Sequence, residues 1–327
     1  MNASFGKKRK GLVKMGVSRR GFIGILGAAA AAPRLFAKAP SDYDPNLTVL
    51  LSDLHVNGAS DSHQLGRLEH AVGEILAMTP LPARAVVFGD IACMYGRKED
   101  YVRAAAALKR LEDAGVSVTL GVGNHDRRTT FLETHPGYAA RTKVPGRIVT
   151  VCDAGTVDFL MLDGLQGTDD RAWNDMGPLA GQLDKAQEEW LLSALPAWKK
   201  PVFVCSHYPI GDLSAGGQPL SRLLARVPAA VGYIHGHDHR WYTRDMGMGW
   251  KKTGAKRTLC LPSTGAWGDI GYALLRTSRD RAVASLVQRE FYYPRPPKPG
   301  APVQHLWNAI VEANRNQTCA FAIPENI

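Results

Sequence analysis

The sequence predicts an α/β protein in which helices pack on the outside of a layered sheet structure. Three observations carry this. Strand-like apolar runs alternate with helix-like amphipathic runs. βαβ units mix with antiparallel stretches. The apolar runs also end repeatedly in Asp, His or Asn. With 327 residues and 45% hydrophobic content, the chain is long enough to form one large α/β domain.

Residues 1–39 stand outside that pattern. They hold nine Lys and Arg and no acid, so the 40 bases of the chain less these nine leave 31 against 30 acids. The net charge of +10 is therefore a property of the leader. The nearly neutral body lacks the basic runs that would track a phosphate backbone, and no nucleic-acid partner is expected. A basic stretch over 7–14 is followed by Ser18-Arg19-Arg20-Gly21-Phe22-Ile23 and a short apolar segment through Ala32. That is the order of an export signal. The apolar segment is too short for a bilayer, which takes ~20 residues, and Pro33 and Arg34 interrupt it, so no stable membrane span is expected. The paired arginines before Phe22 resemble a twin-arginine signal. This implies the twin-arginine export machinery and a periplasmic destination. Ala37-Lys38-Ala39 has the form of a cleavage box, with a cut after Ala37 as the alternative because Pro40 follows.

In the body, residues 47–51 read as a buried strand, and Leu65, Leu68, Val72, Ile75 and Leu76 fall on helical spacing. A strand over 85–88 precedes a helix carrying Tyr101, Ala105, Leu108 and Leu111, closed by Gly115. Another strand is expected over 116–122. Residues 147–151 and 157–162 are β-rich and joined by 152–156, a hairpin. Leu183, Ala186, Trp190, Leu191 and Ala194 mark an amphipathic helix ended by Pro196. Short strands follow over 202–205, 229–234, 258–261 and 272–276. After Phe291 the chain becomes a stiff Pro-rich connector, and Val303, Leu306 and Ile310 place a last helix as a strap on the domain. The five cysteines form no C-x-x-C pair, and three of them, Cys152, Cys205 and Cys260, lie in apolar runs where a thiol acts as a small hydrophobe. A disulfide framework is not expected.

The chemistry lies just past the strands. The first ends Ser52-Asp53-Leu54-His55, the second Gly89-Asp90 and the third Gly123-Asn124-His125-Asp126. Later come Ser206-His207 and His235-Gly236-His237-Asp238-His239. The carboxyl ends of strands are where open α/β sheets bind ligands. On an extended backbone, Asp53 with His55 and His237 with His239 would each project from one face and bite a common centre. Any one of these residues alone has a bland explanation: His207 as a hydrogen-bonded structural residue, Asp53 or Asp90 as a turn or cap. Together they would bury carboxylates and imidazoles side by side, which is costly unless metal ions compensate. A mixed nitrogen and oxygen donor set suits Mn, Fe or Zn. Seven ligands are too many for one tetrahedral ion and suit two ions sharing a carboxylate.

Taken in order, Asp53-x-His55, Gly89-Asp90, Gly123-Asn124-His125-Asp126, His207 and Gly236-His237-x-His239 resemble the calcineurin-like metallophosphoesterase family. The resemblance implies a four-layer αββα sandwich over residues 45–290 with a binuclear site at the strand ends, followed by the connector and helix of 291–327. It assigns Asp53, His55 and His239 to one metal, Asn124, His207 and His237 to the other, and Asp90 to both. His235 has no ligand role in that pattern and is read as structural. The implied reaction is attack of a metal-bridging hydroxide on a small phosphoester, between ions ~3.5 to 4 Å apart. His125 would assist the leaving group or stabilise phosphate charge, and Asp126 would orient it or a ligand. The run through Arg127, Arg128 and Phe131-Leu132-Glu133 is similar to the cyclic-nucleotide and glycerophosphodiester branch, where the two arginines could meet a second phosphate substituent or be salt-bridged. Two departures stand out. Cys93 replaces an acid common in relatives, and the tyrosine that purple acid phosphatases place there is missing. A phosphodiesterase is expected first, a broad phosphomonoesterase second and a non-catalytic scaffold third, because a scaffold would be expected to have lost ligands. Residues 261–267 are expected to return beside the site or to form a turn under Trp267.

Overall fold

The computed structural model describes residues 47–59, 62–167, 179–245, 256–294 and 303–325. The leader and most of the Pro-rich connector lie outside these residues. The first half of the chain alternates strand and helix: β1 (Leu47–Leu51), α1 (His63–Leu76), β2 (Arg84–Phe88), α2 (Lys98–Asp113) and β3 (Ser117–Gly121). The Ser62 hydroxyl caps α1 by accepting from Leu65 N. The helix buries Leu65, Leu68, Ala71, Val72 and Ile75, the stripe expected of a helix on a sheet.

Short helices α3 (Arg128–Thr134) and α4 (Gly137–Arg141) lead to β4 (Thr150–Ala154) and β5 (Val157–Met161). Cys152 to Ala154 belong to β4 and pair with β5, so the hairpin turn is only Gly155-Thr156, not the five-residue loop expected. Then come α5 (Lys185–Ala194), capped by Asp184, β6 (Val202–Cys205), α6 (Gly217–Arg226), β7 (Ala230–His235), β8 (Tyr242–Asp245), β9 (Arg257–Cys260), β10 (Gly268–Thr277) and β11 (Arg281–Tyr292). Leu183, expected in α5, precedes its cap. After β11 come α7 (Gln304–Asn314) and β12 (Thr318–Ala322). The terminal segment therefore adds an edge strand beside β11 as well as a helix.

Among the described residues these strands form two six-stranded sheets, ordered β12-β11-β10-β1-β2-β3 and β4-β5-β6-β7-β9-β8. Strand side chains alternate in direction, and both faces of each central strand are covered. Leu50, Val86 and Phe88 pack with Phe159, Phe203, Cys205 and Ile234 between the sheets. Val49, Leu51, Ala85 and Val87 face α1 and α2. Val202, Val204 and Tyr233 face the opposite way, with Leu191, Leu220 and Leu224 of α5 and α6. Helix, sheet, sheet, helix is the four-layer arrangement. Because β1, β2 and β3 are parallel neighbours, as are β6 and β7, the polar residues past their ends leave each sheet on one edge.

Candidate metal centre

The backbone at the strand ends is not extended. Asp53 (φ 52°), His55 (φ 46°), Asp90 (φ 48°), His237 (φ 71°) and His239 (φ 54°) all occupy the left-handed region. Each such non-glycine residue costs on the order of 1–3 kcal/mol and persists only where its surroundings over-determine it. Here Asp53 N donates to Gly89 O (3.1 Å) and His55 N to Asp90 O (2.8 Å), which ties the two loops together. His237 N donates to the Asp53 carboxylate, 3.2 Å from each oxygen. Gly236 is required by close approach: a Cβ there would lie 1.9 Å from Ser52 Oγ and 2.5 Å from Asp53 Oδ2. At Gly123 a Cβ would lie 2.3 Å from Asp90 Oδ1. These turns, rather than the two-residue spacing of a strand, aim the side chains.

Two sets of ligand atoms result, each lying within 4.8 Å of one another: Asp53, His55, Asp90 and His239, then Asp90, His207 and His237. Asp90 belongs to both. His239 Nε2 is 3.1 Å from Asp53 Oδ1 and 3.2 Å from His55 Nε2. His207 Nε2 is 3.2 Å from Asp90 Oδ2, 3.1 Å from His237 Nδ1 and 3.2 Å from Asn124 Oδ1. Asp53 and His55 thus fall in one set, while His237 and His239 fall in different sets.

The donor atoms fit metal ions. Nδ1 of His55 donates to Cys93 O (3.0 Å), that of His207 to Phe88 O (2.9 Å) and that of His239 to Trp267 O (3.0 Å). A carbonyl can only accept, so in the neutral rings every Nε2 is a lone pair. These lone pairs face each other and the carboxylates across about 3 Å, an arrangement that repels unless a cation lies among them. Without one, protons take that place. Burial disfavours a charged His207, yet Asp90 beside it raises it to about 9. Burial would raise Asp53, but His239 and His55 hold it well below the usual carboxylate range.

The surrounding residues position this set. The buried Asp126 carboxylate accepts from Ile91 N (3.1 Å), Ala92 N (3.0 Å) and Gly123 N (2.8 Å), joining the Asp90 loop to the Asn124 loop. His125 N donates to Asp90 Oδ1 (2.8 Å), while its Nε2 is 3.9 Å from Asp90 Oδ2. Burial lowers His125 to about 4. Residues 261–267 do return beside the site. Ser263 Oγ donates to Asp53 O (2.9 Å), and the Trp267 ring lies 4.2 Å from that of His239. Sequence reasoning did not single out Ser52, whose hydroxyl donates to Asp53 Oδ2 (2.5 Å), although it directly precedes the ligand.

The two arginines after Asp126 are held by the protein itself. Arg127 is buried, with Nε donating to Tyr95 O (2.8 Å). Arg128 makes a buried fork with Asp163 at 2.6 and 2.9 Å and donates to Gly167 O (2.9 Å). Both are built into the scaffold, and of the two readings left open for them the structure shows the salt bridge at Arg128.

A family profile described as calcineurin-like phosphoesterase matches residues 47–241. No curated protein matches the chain at the sequence level. A dimetal phosphatase from zebrafish (Danio rerio) superposes with a TM-score of 0.58 at 16% identity, covering 74% of this chain and 96% of that one. A purple acid phosphatase from yellow lupin seeds superposes with a TM-score of 0.50 at 14% identity, covering 74% of this chain and 51% of that one. At such identity the likeness concerns the fold.

Proposed function

The chain belongs to the calcineurin-like phosphoesterase family, and from that premise we propose that this metal-dependent phosphoester hydrolase is exported and acts on diesters in preference to monoesters. The observation that carries the hydrolytic reading is the pair of ligand sets sharing Asp90. Asp53, His55 and His239 would hold one ion, and Asn124, His207 and His237 the other, with Asp90 between them. When bound, two divalent ions supply Lewis-acid polarisation of the phosphoryl oxygens and an acidified water as nucleophile.

The protein's own residues then orient and exclude. Backbone bonds from Asp126 hold the Asp90 and Asn124 loops in register. His125, uncharged near neutrality, offers a ring N–H toward charge that develops on phosphate or on the leaving oxygen. The diester reading is supported by charge. Arg127 and Arg128 are engaged by the scaffold, so the substrate's charge is met by the two ions and by His125. A singly charged diester asks for less neutralisation than a doubly charged monoester. Export is supported by Arg19-Arg20 and the apolar stretch that follows them.

The test is hydrolysis of an aryl phosphodiester and of its matching monoester by the purified, Mn²⁺-loaded protein, with Asp90→Ala as control. Diester turnover should exceed monoester turnover and vanish in the variant. Dominant monoester turnover would move the reading to a phosphomonoesterase.

A further inference from the structure

Three imidazoles stand within five residues from the last residue of β7 onward, and the binuclear centre uses only His237 and His239. His235, the third, is buried at the end of β7 and belongs to a separate set with Asp238 and Cys260, whose ligand atoms lie within 4.8 Å of one another. The same bound encloses the ligand atoms of each of the two sets sharing Asp90. Donor atoms around tetrahedral zinc stand about 3.3 to 3.8 Å apart, inside that bound.

His235 is prepared as the other ligands are. Its Nδ1 donates to a backbone carbonyl, Gly236 O (2.9 Å), as those of His55, His207 and His239 do to theirs, and this leaves Nε2 as a lone pair. Asp238 is oriented by the Tyr242 hydroxyl, which donates to its Oδ2. Cys260 is fully buried at the end of β9, with Sγ 3.4 Å from Gly236 O. Nitrogen, oxygen and sulfur donors from one residue each make a borderline-soft set, unlike the sulfur-free binuclear centre.

We propose that His235, Asp238 and Cys260 form a third metal site that takes a single zinc ion. Binding replaces the thiol proton of Cys260, which is released to solvent, and a water completes the coordination on the partly exposed side of Asp238. The ion ties the end of β7, the end of β9 and the turn between His237 and His239, both of which have positive φ. Its role is to brace the turn that aims one ligand into each half of the binuclear centre.

Cobalt distinguishes this site because, among the three ligand sets, a thiolate occurs only here. Anaerobic titration of the metal-free full chain with Co²⁺ should give a near-ultraviolet thiolate-to-cobalt charge-transfer band, with intensity equal to one thiolate per chain. Zinc loading should reach one equivalent beyond the two of the binuclear centre. Cys260→Ala should abolish the band and lose one equivalent, and Asp238→Asn, a milder change at a partly exposed position, should weaken Co²⁺ binding in the band by tenfold or more. Cys93→Ala, whose backbone carbonyl serves His55, should keep the band. Absence of the band in the wild-type chain at saturating Co²⁺, or its persistence in Cys260→Ala, would overturn the proposal. The wild-type titration decides the matter even if the cysteine variant does not fold.

Discussion

His125 is the residue whose position separates chemistry from metal binding. It is in neither ligand set, yet its ring stands edge-on to His55, with centroids 4.7 Å apart. His125→Ala should lower kcat by about 10²- to 10⁴-fold while metal content, measured on the purified protein, stays at the wild-type level. A parallel loss of metal would mean that the residue supports the ligands instead. The identities of Asp53, His55, Asp90, Asn124, His207, His237 and His239 were legible because each lies within a few residues of the end of an apolar run. Their grouping came from the family resemblance and not from their spacing. Period-two reasoning assumed extended backbone, whereas five of these residues turn with positive φ. The choice between substrate contact and salt bridge at Arg127 and Arg128 stayed open for a related reason. A basic pair beside a ligand looks available to substrate until the fold shows which carbonyls and carboxylates already hold it.

At the scale of elements, the Arg128–Asp163 pair joins the start of α3 to the end of β5. Asp163 Oδ2 also accepts from Ile148 N (2.9 Å), Asp163 N donates to Gln187 Oε1 (3.1 Å), and Gln187 Nε2 donates to Asp163 O (2.8 Å). Removing one partner strands a buried charge. Arg128→Ala should therefore cost about 3–5 kcal/mol in urea denaturation, and a loss below about 1 kcal/mol would show that water or a neighbour replaces the guanidinium. Helices α1, α2 and α5 were legible from their apolar spacing. The sequence reading did not assign α6, whose first turn carries Gly217 and Pro219, a residue tolerated there because a first-turn N–H has no intrahelical partner. It likewise missed β8 and β12, which lie at sheet edges, and β11, whose long run is interrupted by charged and polar residues. Pairing with neighbours, not local pattern, makes them strands.

For the whole molecule, the leader and the body make separable predictions. Replacing Arg19 and Arg20 together by Lys should hold the protein in the cytoplasm of a producing cell, read by cell fractionation, without altering the activity of the purified chain. Unchanged export would remove the twin-arginine reading and leave the binuclear centre as argued. What the sequence by itself determined is the class of fold, the neutrality of the body once the leader is set aside, and the chemical nature and order of the ligands, because apolar periodicity and strand-end residues are local properties of the chain. Only the tertiary structure brings Asp53 and His55 together with His239 and His237 together with His207, the grouping that the family resemblance implied. It also decided that Asp126 braces two loops and that the arginines are scaffold. The reason is distance along the chain. His55 meets His239 across 184 positions, and contacts of that span depend on how two sheets bring their strand ends together, which no local pattern records.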